Sequence, residues 1–244
     1  MNRRIFFSFL AVTPAIWMLI QTPQPGNAQA AKGGPVAADV ITGKVLFSGT
    51  KPTLRKISME ANPACSKIHP DGVTSQEVVL NPDNTLQNVL VYVKSAVVGK
   101  QFPTPAEAVR VDQKGCMFEP HVAVLMVNQK FEVANSDPTN HNVHGMPEVS
   151  PEWNVSQPPQ APPKSTQFAK PEVGIVVMCN IHPWMRLYAH VLSNPYYAVT
   201  GADGSFTIKG LPPGTYTVEA WHEKFGSQEK KIRVGSKSDF TFTE

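Results

Sequence analysis

The chain has 244 residues, 41% hydrophobic and 17% charged, and its formal charge of +3 is spread along the sequence without a Lys/Arg run. Its 23 prolines are nearly twice the usual share of about 5%. An interior proline costs a helix about 3 kcal/mol, so a helical bundle or coiled coil is excluded. The scattered charge argues against a nucleic-acid partner. What remains is an all-β, loop-rich chain with core enough for one or two domains.

Arg3 and Arg4 precede an apolar stretch over residues 5–20, and Ala28-Gln29-Ala30 follows. This order of basic, apolar and small-residue segments predicts a secretory signal peptide over residues 1–30. The apolar stretch is broken by Pro14 and is shorter than the roughly 20 residues of a spanning helix. The expectation is therefore a periplasmic or secreted protein with no membrane span after cleavage.

Residues 31–38 form a small-residue lead-in. From residue 40 the chain reads as short strands separated by turn chemistry. Residues 40–47 make one strand. Residues 88–93 alternate Val89/Val91/Val93 against Leu90/Tyr92, which predicts burial of both faces. Residues 121–127 and 131–134 are expected to form a hairpin around Asn128-Gln129, and residues 105–109 are the best helical candidate. The Pro-rich insertion 150–164 is expected to be a surface excursion. Residues 173–179 and 186–192 are two strands joined by a tight Pro-containing loop.

After residue 194 the texture changes to strand and turn alone. Residues 198–199 and 205–208 flank the hairpin signal Gly201-Ala202-Asp203-Gly204, and Gly210-Leu211-Pro212-Pro213-Gly214 marks a second turn. About fifty residues are too few for a comfortable core, so this tail is expected to pack against the rest. The run Thr200-Gly201-x-Asp203-Gly204-x-Phe206-x-Ile208-x-Gly210-Leu211-Pro212-Pro213-Gly214-x-Tyr216-x-Val218 resembles the carboxypeptidase regulatory-like module, a small transthyretin-like β-sandwich. Such a module opens with a strand like Ile41-Thr42-Gly43-Lys44-Val45. It is thus either contained in 194–244 or completed by strand 40–48 and split around an insertion.

The chemistry sits at Cys179. Three cysteines in an oxidising compartment leave one thiol over. Cys179 ends an apolar strand and is followed by His182 and Met185, so a thiolate, an imidazole and a thioether recur along one tight loop. His141 and His144 upstream each offer a second imidazole. Two histidines, a cysteine and a weak axial methionine are the ligand set of an electron-transfer copper centre. There is no Cys-x-x-Cys-His haem site and no nucleophile elbow.

Cys-x-x-His-x-x-Met enclosing His-Pro, with the distant Asn140-His141-Asn142-Val143-His144, resembles the amicyanin- and plastocyanin-like cupredoxins, the blue-copper proteins. The resemblance implies a Greek-key β-sandwich over residues 39–193. It implies one copper ion held by His141, Cys179, His182 and Met185, with His141 preferred to His144. It also implies transient docking of a redox protein at a surface-reaching His182, with Pro183 and Trp184 as the rim. Cys65 and Cys116, outside the motif, are expected to pair as a disulfide; a second metal site of Cys116 and His121 is the alternative. His69, His121, His190 and His222 otherwise read as structural or surface histidines. The leading expectation is an exported single-electron carrier rather than an enzyme. The alternatives are a binding or adhesion protein using a carbohydrate-binding-like module, or a copper storage or delivery protein.

Overall fold

The computed structural model describes residues 39–97 and 99–244; the expected signal peptide and lead-in lie outside them. In chain order the elements are β1 (Val40–Ser48), β2 (Lys56–Ile57), α1 (Pro63–Ile68), β3 (Val73–Thr74), β4 (Leu90–Val93), β5 (Val109–Lys114), β6 (Met117–Glu119), β7 (Val122–Met126), β8 (Phe131–Asn135) and β9 (His141–Met146). They continue with β10 (Trp153–Gln157), β11 (Lys164–Thr166), β12 (Glu172–Met178), β13 (Arg186–Leu192), β14 (Tyr197–Val199), β15 (Ser205–Lys209), β16 (Thr215–His222), β17 (Gly226–Arg233) and β18 (Phe240–Thr243). The protein is all-β. The one helix among the described residues is α1; residues 105–108, the helical candidate of the sequence, lie outside regular structure.

Four larger sheets build two sandwiches. A five-stranded sheet, β10-β9-β12-β13-β7, and a four-stranded sheet, β11-β8-β5-β6, share a core that includes Val111, Phe118, Leu125, Phe131 and Val177. A three-stranded sheet, β15-β1-β18, and a four-stranded sheet, β14-β4-β16-β17, share a second core that includes Ile41, Val91, Phe206, Val218 and Phe240. Strands β1 and β4, expected within the copper-binding stretch 39–193, therefore lie in the sheets of the C-terminal strands. β1 pairs antiparallel with β15 and parallel with β18, and β4 lies between β14 and β16. The reason is burial: the C-terminal strands alone cannot close two layers, and β1 and β4 supply the missing apolar faces.

The chain departs from this second sandwich and returns to it at one place. Val93 N–H donates to the Tyr196 carbonyl at 2.9 Å, and the Asn194 side-chain amide donates to the Val93 carbonyl at 2.9 Å. Strand β4 also joins the two cores. Val91 and Val93 face its own sandwich, while Leu90 and Tyr92 pack with Val122, Val124 and Leu192 of the other. That explains why all four residues of β4 are buried.

Three further expectations change. β7 and β8 do not pair with each other; they belong to opposite sheets, and the Asn128-Gln129 turn carries the chain between layers. Likewise β14 and β15, flanking Gly201–Gly204, lie in different sheets. Alternation and turn chemistry are the same whether two strands pair or cross layers. The 150–164 segment is not wholly a surface excursion, because its proline-free centre forms β10 on β9 as an edge strand. Gln157 at its end is fully buried, donating to the Val133 carbonyl at 2.7 Å and accepting from Gln113 Nε2 at 2.7 Å.

Burial leaves two histidines uncharged. His190 accepts from Gly174 N–H at 3.0 Å and packs edge-on to Trp221, and burial depresses its pKa to about 3. His222, stacked on Phe225, is depressed to about 4 by burial first and by His121 and Lys224 next. An unfolded histidine takes up a proton near pH 6.5, so below that value each costs stability at about 1.4 kcal/mol per pH unit. Relative to the wild type, His190→Asn, which keeps an acceptor for Gly174, is expected to lose less stability on acidification from about pH 7 to about pH 4.5. Urea denaturation at several pH values measures this; parallel pH profiles would contradict it.

Candidate metal centre

Cys179 directly follows β12, and the loop to β13 is folded tightly on itself. Met185 N–H donates to the His182 carbonyl at 2.9 Å, and Cys179 N–H donates to the Met185 carbonyl at 3.2 Å. Asn142 on β9 clamps this loop: its side-chain carbonyl accepts from Asn180 N–H at 2.6 Å, and its own N–H donates to Cys179 Sγ at 3.4 Å. Asn154 Oδ1 accepts from the Asn142 amide at 2.7 Å and fixes that side chain in turn. His141 begins β9, one residue away, and so its ring meets the loop.

Three donor atoms converge there. His141 Nδ1 and His182 Nδ1 are 2.8 Å apart, and Cys179 Sγ is 4.0 Å from the first and 3.7 Å from the second. All three residues are fully buried, and so is Met185, which packs in the same core as Cys179. A metal bonded at about 2.0 Å to nitrogen and 2.3 Å to sulfur, with angles near 115°, needs sulfur–nitrogen separations of about 3.6 Å. The observed sulfur–nitrogen separations lie within about 0.4 Å of this. The nitrogens would spread to about 3.3 Å on binding.

The outer nitrogens have partners as well. His141 Nε2 donates to the Asp137 carboxylate at 2.9 Å. Asp137 also accepts from Gly115 N–H at 2.6 Å and Cys116 N–H at 2.8 Å. The Asn62 side-chain amide lies against His182 Nε2 at 2.5 Å. Without a metal, one set of neutral tautomers satisfies the chain from end to end: Asn62 donates to His182, His182 donates from Nδ1 to His141, and His141 donates to Asp137. A metal would need both Nδ1 atoms bare, with the His182 proton moved to Nε2 and the Asn62 amide turned to accept it. Such outer contacts orient metal-binding imidazoles and fix the nitrogen each presents.

The same contacts shift the acidities. Burial raises the Cys179 thiol, but the His141 and His182 imidazoles beside Sγ and the Asn142 N–H outweigh it and bring its pKa down to about 5. Burial pushes His141 down, whereas Asp137 and Cys179 hold it above the ordinary histidine value. Burial likewise opposes ionisation of Asp137, and His141 with the Cys116 and Gly115 N–H groups more than compensates. A thiolate beside two imidazoles is the nucleophilic, metal-ready state of cysteine.

The remaining candidates fall elsewhere. His144 points out to Asn180 at 3.1 Å and Glu152 at 2.6 Å, away from the three donors. Cys65 and Cys116 are joined in a disulfide with 5.7 Å between Cα atoms, and Cys179 is the one free cysteine. His121 pairs with Glu223, so Cys116 and His121 do not form a second metal site. Pro183 is exposed, but Trp184 is half-buried and donates to the Cys116 carbonyl at 3.0 Å. His182 does not reach the surface; its edge is covered by Asn62, Cys65 and Trp184. Sequence reasoning missed Asn62, Asp137 and Asn142. Asp137, four residues before His141 across a Pro-containing turn, carried the only local signal.

Residues 189–243 match the model of the carboxypeptidase regulatory-like domain. That span holds β14–β18 but not β1 and β4, which share their sheets. Solved structures similar to the chain include the copper-containing nitrite reductase of Thermus scotoductus, at 23% identity and a TM-score of 0.32, covering 41% of this chain and 26% of that one. Amicyanin from Paracoccus versutus is similar at 18% identity and a TM-score of 0.32, over 42% of this chain and 97% of its own. A purple cupredoxin from Nitrosopumilus maritimus is similar at 14% identity and a TM-score of 0.30, over 34% of this chain and 99% of its own. The chain thus spans about a quarter of the nitrite reductase. No curated protein matches it in sequence.

In the metal-free protein the ultraviolet absorbance of the Cys179 thiolate is expected to titrate near pH 5 rather than near the ordinary value of 9. His182→Ala removes one of the imidazoles beside Sγ and should move the midpoint upward. A wild-type midpoint close to the ordinary value would contradict the geometry.

Proposed function

We propose that the protein is an exported type 1 copper protein that passes single electrons between redox partners, with His141, Cys179, His182 and Met185 as ligands of one copper ion. The observation that carries this reading is the convergence of two imidazole Nδ1 atoms and a thiolate-prone Sγ on three fully buried residues. Copper bound there would supply a one-electron couple, Cu(II)/Cu(I). Imidazole suits both states and the soft sulfur atoms favour Cu(I). The chain's own part is to hold that set still. Asn142 fixes the loop, Asp137 fixes His141, and Met185, whose carbonyl accepts from Cys179 N–H, is buried in the same core. A scaffold that does not move between oxidation states keeps the reorganisation cost of electron transfer small. Its docking partner would be a redox protein, met transiently. The signal-like first thirty residues support a periplasmic or secreted location, and no helix among the described residues is long and apolar enough to cross a membrane.

A second reading, copper storage or delivery, is favoured by the covered edge of His182, since an electron carrier ordinarily profits from an exposed ligand. Reversible one-electron reduction without loss of metal separates the two. The purified chain loaded with Cu(II) is expected to show the intense thiolate-to-copper absorption and to cycle reversibly. Cys179→Ser should abolish the colour. Met185→Leu should keep it and raise the potential, because Cu(I) tolerates the loss of a weak fourth donor better than Cu(II) does, and a leucine makes the surroundings more apolar. A chain that takes up copper without the thiolate absorption, or a Cys179→Ser variant that keeps it, would refute the proposal.

A further inference from the structure

His182 is shut in by a segment that belongs to neither sandwich. Asn62 caps α1: its side-chain carbonyl accepts from Cys65 N–H at 3.3 Å while its amide faces His182 Nε2. Pro63 at the first helical position pre-sets the turn. Cys65, one turn in, is bonded to Cys116 and lies with its Sγ 3.7 Å from the same imidazole nitrogen. Two more contacts press this piece down. His69 Nε2 donates to the Gly115 carbonyl at 2.8 Å, and Met59 is buried in the core that holds Cys179. The other anchor is firm: Gly115 and Cys116 occupy the left-handed region (φ 62° and 54°) in the two-residue turn between β5 and β6. Their N–H groups both bind Asp137.

From this geometry we infer that residues 59–69 form a latched lid on the metal pocket. Asn62 is a positioning residue for His182, and the Cys65–Cys116 disulfide is the latch that keeps the imidazole edge out of reach of solvent, chelators and small ligands. The two ends of the hydrogen-bonded chain through the histidines then hang on the same disulfide: Asn62 lies three residues from Cys65, and Asp137 holds the backbone of Cys116. For its metal arm alone, this inference rests on the copper reading.

The test begins with the metal-free chain. Diethyl pyrocarbonate acylates accessible imidazole nitrogens, and peptide mass analysis locates the modified histidine. In the wild type, His182 is expected to be protected. Asn62→Ser keeps a helix-capping oxygen but is too short to touch His182. It should raise the rate of His182 modification about tenfold, the worth of one hydrogen bond in an opening equilibrium. Asn62→Asp keeps an oxygen for the cap and offers the imidazole an acceptor in place of a donor; it should hold a proton on His182 Nε2, the state that does not acylate there, and restore most of the protection. The double variant Cys65→Ser/Cys116→Ser should raise the rate further. In the copper-loaded chain, removal of the metal by a chelator should follow the same order of rates. Protection of His182 in Asn62→Ser equal to that of the wild type would overturn the lid, and so would unprotected His182 in the wild type. If His182 reactivity follows the expected order but no variant takes up copper, the copper reading fails and the lid stands.

Discussion

Two imidazoles and a thiol can share a dry pocket only if every polar atom among them has a partner, because an unpaired buried polar group costs about 1–3 kcal/mol. The hydrogen-bonded chain from Asn62 through His182 and His141 to Asp137 meets that demand. It also turns both Nδ1 atoms toward Cys179. The carboxylate at its end is itself affordable in the interior because two backbone N–H groups and an imidazole converge on it. Without that end of the chain, His141 would have neither a fixed ring orientation nor a reason to be buried.

The architecture serves the same constraint. Strands β9 and β12 are neighbours in one sheet, with Met178 paired to His144, so residues adjacent to each strand's end meet above the core. The Cys65–Cys116 disulfide lies beside the same cluster, with Cys65 Sγ 3.7 Å from His182 Nε2. Strand β4 gives one face to each sandwich, and the chain departs and returns beside Val93. The sandwich that holds Cys179 is therefore seated on a second one rather than tethered to it.

The candidate residues on the loop were legible because chemistry and spacing coincide within a few residues: Cys179, His182 and Met185 share one loop, and the strand before it is plainly apolar. Local strand patterns were legible too, including the two buried faces of β4. Which strand pairs with which was not, since β1 and β15 are far apart in sequence and the period of two is blind to the partner. Turn signals at Asn128-Gln129 and Gly201–Gly204 read as hairpins although both carry the chain between layers. Asn62 was invisible for a similar reason. As Asn-Pro it announces a helix start, and nothing local says that its amide meets an imidazole 120 residues away. The burial of His182 follows from that contact, which is why its surface exposure was the expectation that the structure overturned.

The central claim is that one thiolate and two imidazoles of this pocket bind the same copper ion. X-ray absorption at the copper edge of the loaded wild-type chain tests it most directly. One short copper–sulfur distance is expected together with two imidazole nitrogens at about 2.0 Å, with the sulfur contribution lost in Cys179→Ser. A first shell of nitrogen and oxygen alone, unchanged by that substitution, would contradict it.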